Sequence, residues 1–338
     1  MSETTHPQMP EEPIIDPDRA ICDPHHHLWD YPHHRYLLDE LLADISSGHN
    51  VVSTVFMECM AMYRANGPEA MKPVGETEFV NGIAAMSASG NYGKAKLCAS
   101  IVGFADLTLG SAVGEVLDAH IAASKRFVGI RHASGWSDSD AIRNSHTRPT
   151  QDLLSQPLFQ EGMRELKKRN LTFDAWLYHP QIDDLTVLAR AFPDQIIIFD
   201  HFGGPLGIGP FKGQSDEVFT AWKQSVAELA KCRNVYAKLG GLAMPINGFD
   251  LHKRAVGVSS EELAQTNGHY YHFAIENFGP ERCMFESNFP VDKVSCSYAV
   301  LWNAFKRLAQ SYSEDEQVAM FHDTAATVYK VPKGVAPH

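Results

Sequence analysis

Residues 22–30 read CDPHHHLWD, which places three consecutive histidines directly after a short apolar run. In a strand, side chains alternate between the two faces, so His25 and His27 share one face and His26 takes the other. Two imidazoles on one face at a strand end can together ligate a metal ion or contact a substrate carbonyl group. An exposed histidine-rich loop or an expression tag is the alternative, but the acidic, apolar and aromatic residues around the histidines argue against a tag.

The composition limits the kind of molecule that the protein binds. The chain has 338 residues, a hydrophobic fraction of 44% and a net charge of −12. This charge argues against nucleic acid or an anionic membrane as a partner, because phosphate binding needs a basic face. The sequence has no apolar run near the ~18 residues of a transmembrane helix. We therefore expect a small-molecule substrate, and a homodimer on base rates.

Six cysteines are scattered along the chain without a CxxC pair. This pattern is typical of buried free thiols in a reducing cytosol, so it predicts a cytoplasmic protein. Residues 1–18 are polar and proline-rich and lack the apolar core of a signal peptide. They predict a flexible N-terminal arm, followed by a single domain over residues 19–338.

Short apolar runs alternate with amphipathic segments along the whole chain. The predicted strands are 21–27, 51–57, 97–104, 127–130, 171–177, 195–199, 235–239 and 283–285. The predicted helices are 36–45, 76–86, 113–123, 158–168, 182–192, 217–231, 259–278, 298–309 and 314–329. Continuous apolar strands are typical of a parallel sheet that is buried on both faces. The count of eight strands predicts an α/β fold, a TIM-like (β/α)8 barrel. The alternative, a doubly wound open sheet, usually has a glycine-rich phosphate turn where this chain has histidines.

Polar side chains cluster immediately after the predicted strands. They are His25, His27, Glu58, Arg131, His132, His179, His201, Glu286 and Asn288. Active sites of (β/α)8 barrels lie at the C-terminal ends of the strands. Histidine at four strand ends is more than the 17 histidines of the chain would place there by chance. The pattern therefore predicts one active site at this end of the barrel.

At these positions the chain resembles the amidohydrolase superfamily, and within it the amidohydrolase 2 branch that includes sugar-lactone and pyrone-dicarboxylate lactonases. The matching segments are DPHHHLW (23–29), GIRH (129–132), FDAWL (173–177), DHFGGP (200–205), KLGG (238–241) and FESNFP (285–290). The resemblance implies a TIM-like barrel, hydrolysis of a cyclic ester and, in many relatives, a divalent metal.

One segment departs from the family pattern. Relatives commonly have an aspartate after the eighth strand that ligates metal or acts as general base, and this chain has Asn288. An amide cannot take a proton from water and is a poor metal ligand beside a carboxylate. Glu286, two residues earlier and on the same face of a strand, could supply the missing carboxylate.

The resemblance and the strand-end pattern together assign provisional roles. His25, His27 and His201 are candidate ligands of one Zn or Mn ion. The candidate catalytic residues are Glu58 and Glu286 as bases, His179 and His201 as orienting groups, and Asn288 as an oxyanion donor. The candidate substrate-binding residues are Arg131 as a bidentate carboxylate clamp, His132, Lys238, Trp29 and Tyr178. An ion pair with Glu58 or Glu286 is the structural alternative for Arg131.

The leading hypothesis is a hydrolase that opens a lactone or similar cyclic ester of a small carboxylated or aromatic-derived substrate. In one version a bound metal activates water, and in the other a carboxylate does so without a metal. Non-oxidative decarboxylation of an aromatic acid is the alternative reaction. A catalytically idle barrel that binds small acids is the third possibility. The substrate itself is not readable, because the loops that set specificity in a barrel show no recognisable chemistry.

Overall fold

The computed structural model describes residues 9–32 and 34–332. Within them, eight parallel strands form one sheet in the order β1, β4, β5, β6, β7, β8, β9, β10. These strands are β1 (Ile21–His26), β4 (Val51–Met57), β5 (Lys96–Gly103), β6 (Phe127–Arg131), β7 (Thr172–Ala175), β8 (Ile197–Phe199), β9 (Val235–Leu239) and β10 (Cys283–Phe285). All eight predicted strands are present, and the (β/α)8 barrel predicted from them is confirmed.

The first and last strands meet just beyond their C-terminal ends. The backbone N–H of Asn288 donates to the carbonyl of His25 at 3.0 Å, and the N–H of His27 donates to the carbonyl of Phe289 at 2.8 Å. The side chain of Asp23 ties the same seam, because it accepts from the backbone N–H of Ser287 at 3.0 Å. This seam carries the two segments that the sequence marks for function, so closing the barrel also brings them together.

Helices follow the strands and, except for the last one, cover the outside of the barrel. They are α1 (Leu38–Ile45), α2 (Val74–Ala88), α3 (Val113–Ala123), α4 (Pro157–Lys168), α5 (Ile182–Ala191), α6 (Ser215–Leu229), α7 (Ser260–Phe278), α8 (Tyr298–Ala309), α9 (Glu314–Val318) and α10 (Thr324–Val328). The last predicted helix, 314–329, is interrupted by a π-helical turn over 319–323. No helix of the described ranges is long and apolar enough to cross a membrane.

A small antiparallel hairpin, β2 (Trp29–Tyr31) with β3 (His34–Tyr36), was not predicted. It follows the histidines of β1 directly and holds Trp29 against them. The stretch is too short and too polar for its alternation to be readable from the sequence.

Residues 9–18, the described part of the predicted N-terminal arm, contact the barrel. The Glu12 carboxylate accepts from the backbone N–H of Ser260 at 2.8 Å, and the backbone N–H of Ile15 donates to Asn303 Oδ1 at 2.9 Å. These contacts hold the segment more firmly than a flexible arm implies. Residues 1–8 lie outside the described residues, and the division into an arm and one domain stays a prediction.

Candidate active site

His25 and His27 lie side by side at the end of β1, on the inner face of the barrel. Their Nε2 atoms are 3.2 Å apart, and both residues are buried. His27 Nδ1 lies 2.9 Å from the carbonyl of Met57, and His25 Nδ1 lies 2.8 Å from Glu286 Oε2. The Met57 carbonyl accepts the Nδ1 hydrogen of His27, so the Nε2 of His27 presents a lone pair. The Nε2 of His25 lies 3.3 Å from Arg131 Nη1, which can only donate, so this Nε2 also presents a lone pair. Two lone pairs that face each other repel unless a cation or a shared proton lies between them.

Burial also favours the neutral, ligating form of these imidazoles. Desolvation lowers the pKa of both His25 and His27 well below their usual range, and the nearby charges of Lys238 and Arg131 act in the same direction. A neutral imidazole is the form that ligates a metal.

Glu286 bridges two of the site histidines. Its carboxylate lies 2.6 Å from His201 Nδ1 through one oxygen and 2.8 Å from His25 Nδ1 through the other. The space for this bridge comes from Gly240 and Gly241. A Cβ at Gly240 would lie 2.4 Å from Glu286 Cγ, and one at Gly241 would lie 2.5 Å from His201 Nδ1. Burial raises the pKa of Glu286 to about 8. The carboxylate predicted as a substitute for the missing aspartate thus lies inside the histidine cluster.

Asp200 belongs to the same cluster, although the sequence analysis did not single it out. Ligand atoms of His25, Asp200 and His201 all lie within 4.8 Å of one another. The backbone of His201 is left-handed, with φ of 52°, and this breaks the alternation that would turn Asp200 and His201 to opposite faces. Asp200 is fully buried, and neither of its oxygens accepts a hydrogen bond of good geometry from the described residues. Such a carboxylate is suited to a cation.

Lys238 supports the cluster from below and does not line the mouth as predicted for a substrate-binding residue. It is fully buried, and its Nζ lies 2.9 Å from Asp174 Oδ1, 3.1 Å from Asp200 Oδ1 and 3.2 Å from His25 Nδ1. Its three donors are therefore directed at protein groups. Asp174 was not predicted as a site residue.

Arg131 does not act as a free bidentate clamp, and this prediction was wrong. Its Nε donates to Glu58 Oε1 at 2.8 Å, and its Nη2 donates to the Glu58 carbonyl at 2.6 Å. The structural alternative, an ion pair with Glu58, is what the structure shows. Only Nη1 points to the histidines, 3.3 Å from His25 Nε2. Arg131 can thus offer one donor to a bound molecule.

Glu58 anchors this arginine and is poorly suited to act as a base. Its second oxygen lies 3.2 Å from Nε2 of His146, which belongs to the long loop after β6 and was not predicted as a site residue. Burial raises the pKa of Glu58, but the charges of His146 and Arg131 outweigh burial and hold the pKa below its usual range. A carboxylate that stays ionised in this way binds a proton weakly.

Asn288 lies at the barrel seam with its side chain committed to a neighbour. Its Nδ2 donates to Asp292 Oδ1 at 3.0 Å, and its backbone is left-handed with φ of 53°. Both groups are buried. The amide therefore fixes a turn, and the structure does not support the predicted role as an oxyanion donor.

Three further predicted site residues hold loops instead of joining the cluster. His132 Nδ1 accepts from the backbone N–H of Leu107 at 3.2 Å, on the helix side of the strand. His179 Nδ1 accepts from the backbone N–H of Leu206, also at 3.2 Å. The hydroxyl of Tyr178 donates to the carbonyl of Arg143. All three residues lie beyond the end of their strand. His132 comes one residue after β6, and Tyr178 and His179 lie in the turn after β7, so none of them faces the barrel axis.

Two tryptophans flank the histidines. The Trp29 ring stacks on His27 with 5.6 Å between centroids, and the Trp176 ring meets His201 edge-on at 5.0 Å. Trp29 therefore lies beside His27, and its role in substrate binding stays a prediction. Flat aromatic walls on two sides suit a small ring-shaped ligand.

A model of the family described as Amidohydrolase matches residues 22–331. The chain belongs to this family. It is 33% identical over 336 residues to the uncharacterized protein y4mH of Sinorhizobium fredii, which covers 93% of this chain and 99% of that one. A partial match to an L-fucono-1,5-lactonase of Burkholderia multivorans has 27% identity and covers 52% of this chain and 56% of the relative.

Among solved structures, the fold is similar to that of an amidohydrolase from Burkholderia multivorans with bound zinc. The TM-score is 0.69 at 22% identity, with 93% of this chain and 100% of the other covered. At this identity the likeness concerns the fold alone.

The buried carboxylates of the cluster outnumber the permanent cations beside them. Four carboxylates meet two permanent cations among the described residues that form the cluster. The groups are Glu58, Asp174, Asp200, Glu286, Arg131 and Lys238. With neutral imidazoles, full ionisation leaves two negative charges uncompensated, and buried charge is costly unless it is paired. One divalent cation would restore the balance, so the donor set fits a metal.

Proposed function

We propose that this amidohydrolase opens a lactone or similar cyclic ester of a small substrate. The observation that carries the proposal is the position of Glu286 between His25 and His201: one oxygen is hydrogen-bonded to His201 Nδ1 at 2.6 Å, and the other lies 2.8 Å from His25 Nδ1. A carboxylate thus lies among the histidines, and ester hydrolysis needs such a group to accept a proton from the attacking water. The partial match to a lactonase supports a cyclic ester as the substrate class.

We further propose that the site holds one divalent cation. The groups that would hold it are the opposed lone pairs of His25 and His27, the Asp200 carboxylate, whose oxygens accept no hydrogen bond of good geometry from the described residues, and His201. The zinc in the structural neighbour supports zinc as the first metal to test. When bound, such a cation polarises the ester carbonyl and lowers the pKa of water.

The residues of the chain supply the remaining steps. Glu286 accepts a proton from water as the water oxygen bonds to the carbonyl carbon, while the hydrogen bond with His201 holds the carboxylate in place. Arg131 Nη1 offers a donor to the oxygen on which negative charge develops. When the ring C–O bond breaks, Glu286 returns the proton to the leaving alkoxide, which becomes a hydroxyl group. Trp29 and Trp176 wall the ring of the substrate.

The experiment is a panel of sugar lactones and carboxylated pyrones, assayed by acid release with a pH indicator. We expect the wild type to open at least one of them and Glu286→Gln to lower kcat by about 10²- to 10⁴-fold. The matched control is Glu165→Gln, because Glu165 is also buried but pairs with Lys168 and Arg169 on α4, away from the site.

Two results would contradict the proposal. One is a wild type that opens none of the lactones but releases carbon dioxide from hydroxybenzoates, which would establish the decarboxylase alternative. The other is a Glu286→Gln enzyme as active as Glu165→Gln, which would remove the proton acceptor on which the mechanism depends.

A further inference from the structure

The C-terminal helix plugs the bottom of the barrel. Ala325, Val328 and Tyr329, on and just after α10, pack in a buried cluster with residues that point into the barrel from six strands. The six-strand set is Cys22, Val55, Met57, Val102, Val128, Ile198 and Met284. The backbone carbonyl of Tyr329 accepts from the Ser100 hydroxyl at 2.7 Å, which fixes the plug to β5. Residues 325–329 thus reach the interior of the barrel, below the candidate active site.

Tyr329 carries the polar group at the tip of this plug. Its hydroxyl donates to Asp174 Oδ1, and its ring lies 5.2 Å below Lys238 Nζ. Tyr329, Asp174 and Lys238 are all fully buried or nearly so, so water does not compete for these contacts. The same Asp174 oxygen lies 2.9 Å from Lys238 Nζ. The tyrosine therefore contacts the Lys238 ammonium group with its ring and the carboxylate partner of that group, Asp174, with its hydroxyl.

Lys238 connects Tyr329 and Asp174 to the candidate metal ligands. Its Nζ lies 3.1 Å from Asp200 and 3.2 Å from His25 Nδ1. A continuous line of short contacts thus runs from the plug through Asp174 and Lys238 to the cluster. The ammonium group thus contacts both Asp200 and His25.

The network is costly for a purely structural plug. A buried ion pair is often no more stabilising than apolar residues of similar volume, because both charges lose their hydration. The rest of the plug is apolar, so an apolar tip would continue the same packing. A tyrosine, an aspartate and a lysine at this point need a reason other than stability.

We propose that Tyr329 is a positioning residue for the active site, which acts through Asp174 and Lys238 on His25 and Asp200. Its kinetic consequence rests on the proposed function, whereas its effect on the state of His25 does not. Partners outside direct contact with a site typically change activity about 10- to 100-fold when they are removed.

The test is Tyr329→Phe, which removes one oxygen and keeps the apolar plug. Tyr36→Phe is the matched control, because Tyr36 is also buried and donates to a carboxylate, Asp44, at 2.8 Å outside this network. We expect Tyr329→Phe to lower kcat at least 10-fold with KM changed less than 3-fold, and Tyr36→Phe to leave both near the wild type.

Histidine ¹⁵N spectra give the readout that does not depend on a substrate. We expect Tyr329→Phe to shift the ring signals of His25, assigned by their loss in His25→Gln, and Tyr36→Phe to leave them in place. Asp174→Asn, which keeps the volume and removes the charge, should shift the same signals and serves if Tyr329→Phe folds poorly. The inference is overturned if these variants lower only the melting temperature and leave the His25 signals unchanged. If the wild type opens no lactone, the proposed function fails and the spectra still decide the role of Tyr329.

Discussion

Replacing Glu58 by glutamine tests whether this residue is the anchor of a buried cation. The Glu58 carboxylate is fully buried, and the Arg131 side chain is 7% exposed. Glu58→Gln would leave the guanidinium with only the more distant Asp200 carboxylate, 3.8 Å from Nη1, as a charged partner. Breaking a buried pair in this way costs about 3–5 kcal/mol of unfolding free energy. Arg131→Met should cost less, because His146, 3.2 Å from Glu58, remains as a partner for the carboxylate.

The double variant makes the test quantitative. With Glu58→Gln and Arg131→Met together, no buried charge of the pair is left, so we expect it to be less destabilised than the sum of the single variants by about 2 kcal/mol or more. Urea denaturation of the four proteins at pH 7 measures the three differences. Effects that add to within about 0.5 kcal/mol would refute the reasoning, because independent sites behave in that way.

Acidity gives a second view of the same anchor. The pKa of Glu58 is lower in the folded than in the unfolded protein, so its contribution to stability is present above the unfolded pKa and is lost as pH falls through the folded one. Wild type should therefore lose stability below about pH 4.5 more steeply than Glu58→Gln does. Equal slopes would show that the carboxylate is not held by the charges around it.

Three further predictions concern other parts of the molecule. His120 is buried between Thr77 and the Phe104 carbonyl, and desolvation lowers its pKa to about 4, so the unfolded chain binds a proton that the folded chain refuses between pH 6.5 and 4. Between pH 6.5 and 4, His120→Gln should lose less stability than the wild type, by up to about 3 kcal/mol, as measured by urea denaturation at each pH. An unchanged pH dependence would show that this histidine is not the cause. Metal analysis of the purified protein should find about one divalent ion per chain, and His27→Asn should lower that occupancy; metal-free protein with full activity would establish the metal-independent version. Ser259 caps α7 by accepting from Glu262 N, so Ser259→Ala should cost about 1 kcal/mol, and a loss below about 0.3 kcal/mol would show that the cap contributes little.

The barrel was readable because its strands are buried on both faces. The run 51–57, for example, has no alternation to confuse it with a half-exposed strand, and its apolar residues are nearly all buried. The β1 histidines were readable for the related reason that a strand has a fixed period of two, and His25 and His27 do share a face. Glu286 was also predicted as a site residue, but the period of two does not extend to Asn288, because the strand ends at Phe285 and the backbone of Asn288 is left-handed.

The rest of the site depends on departures from that period and on contacts between distant segments. Asp200 joins the cluster because the left-handed backbone at His201 breaks the alternation, and no residue type marks this turn. Arg131 is not free to bind a carboxylate of the substrate, because its Nε and Nη2 donate to Glu58, 73 residues earlier in the chain. His146 lies on a loop without periodicity, and Tyr329 looks like an ordinary residue at the end of a helix.

The seam between β1 and β10 has a consequence for how the chain is made. Asp23 and Ser287, which are joined across it, are 264 residues apart. During synthesis the first strand leaves the ribosome long before its second neighbour exists, so one of its edges stays unpaired for most of translation. An unpaired strand edge is a template for pairing with other chains. The nascent protein should therefore depend on chaperones that shield this edge until β10 and the C-terminal plug arrive.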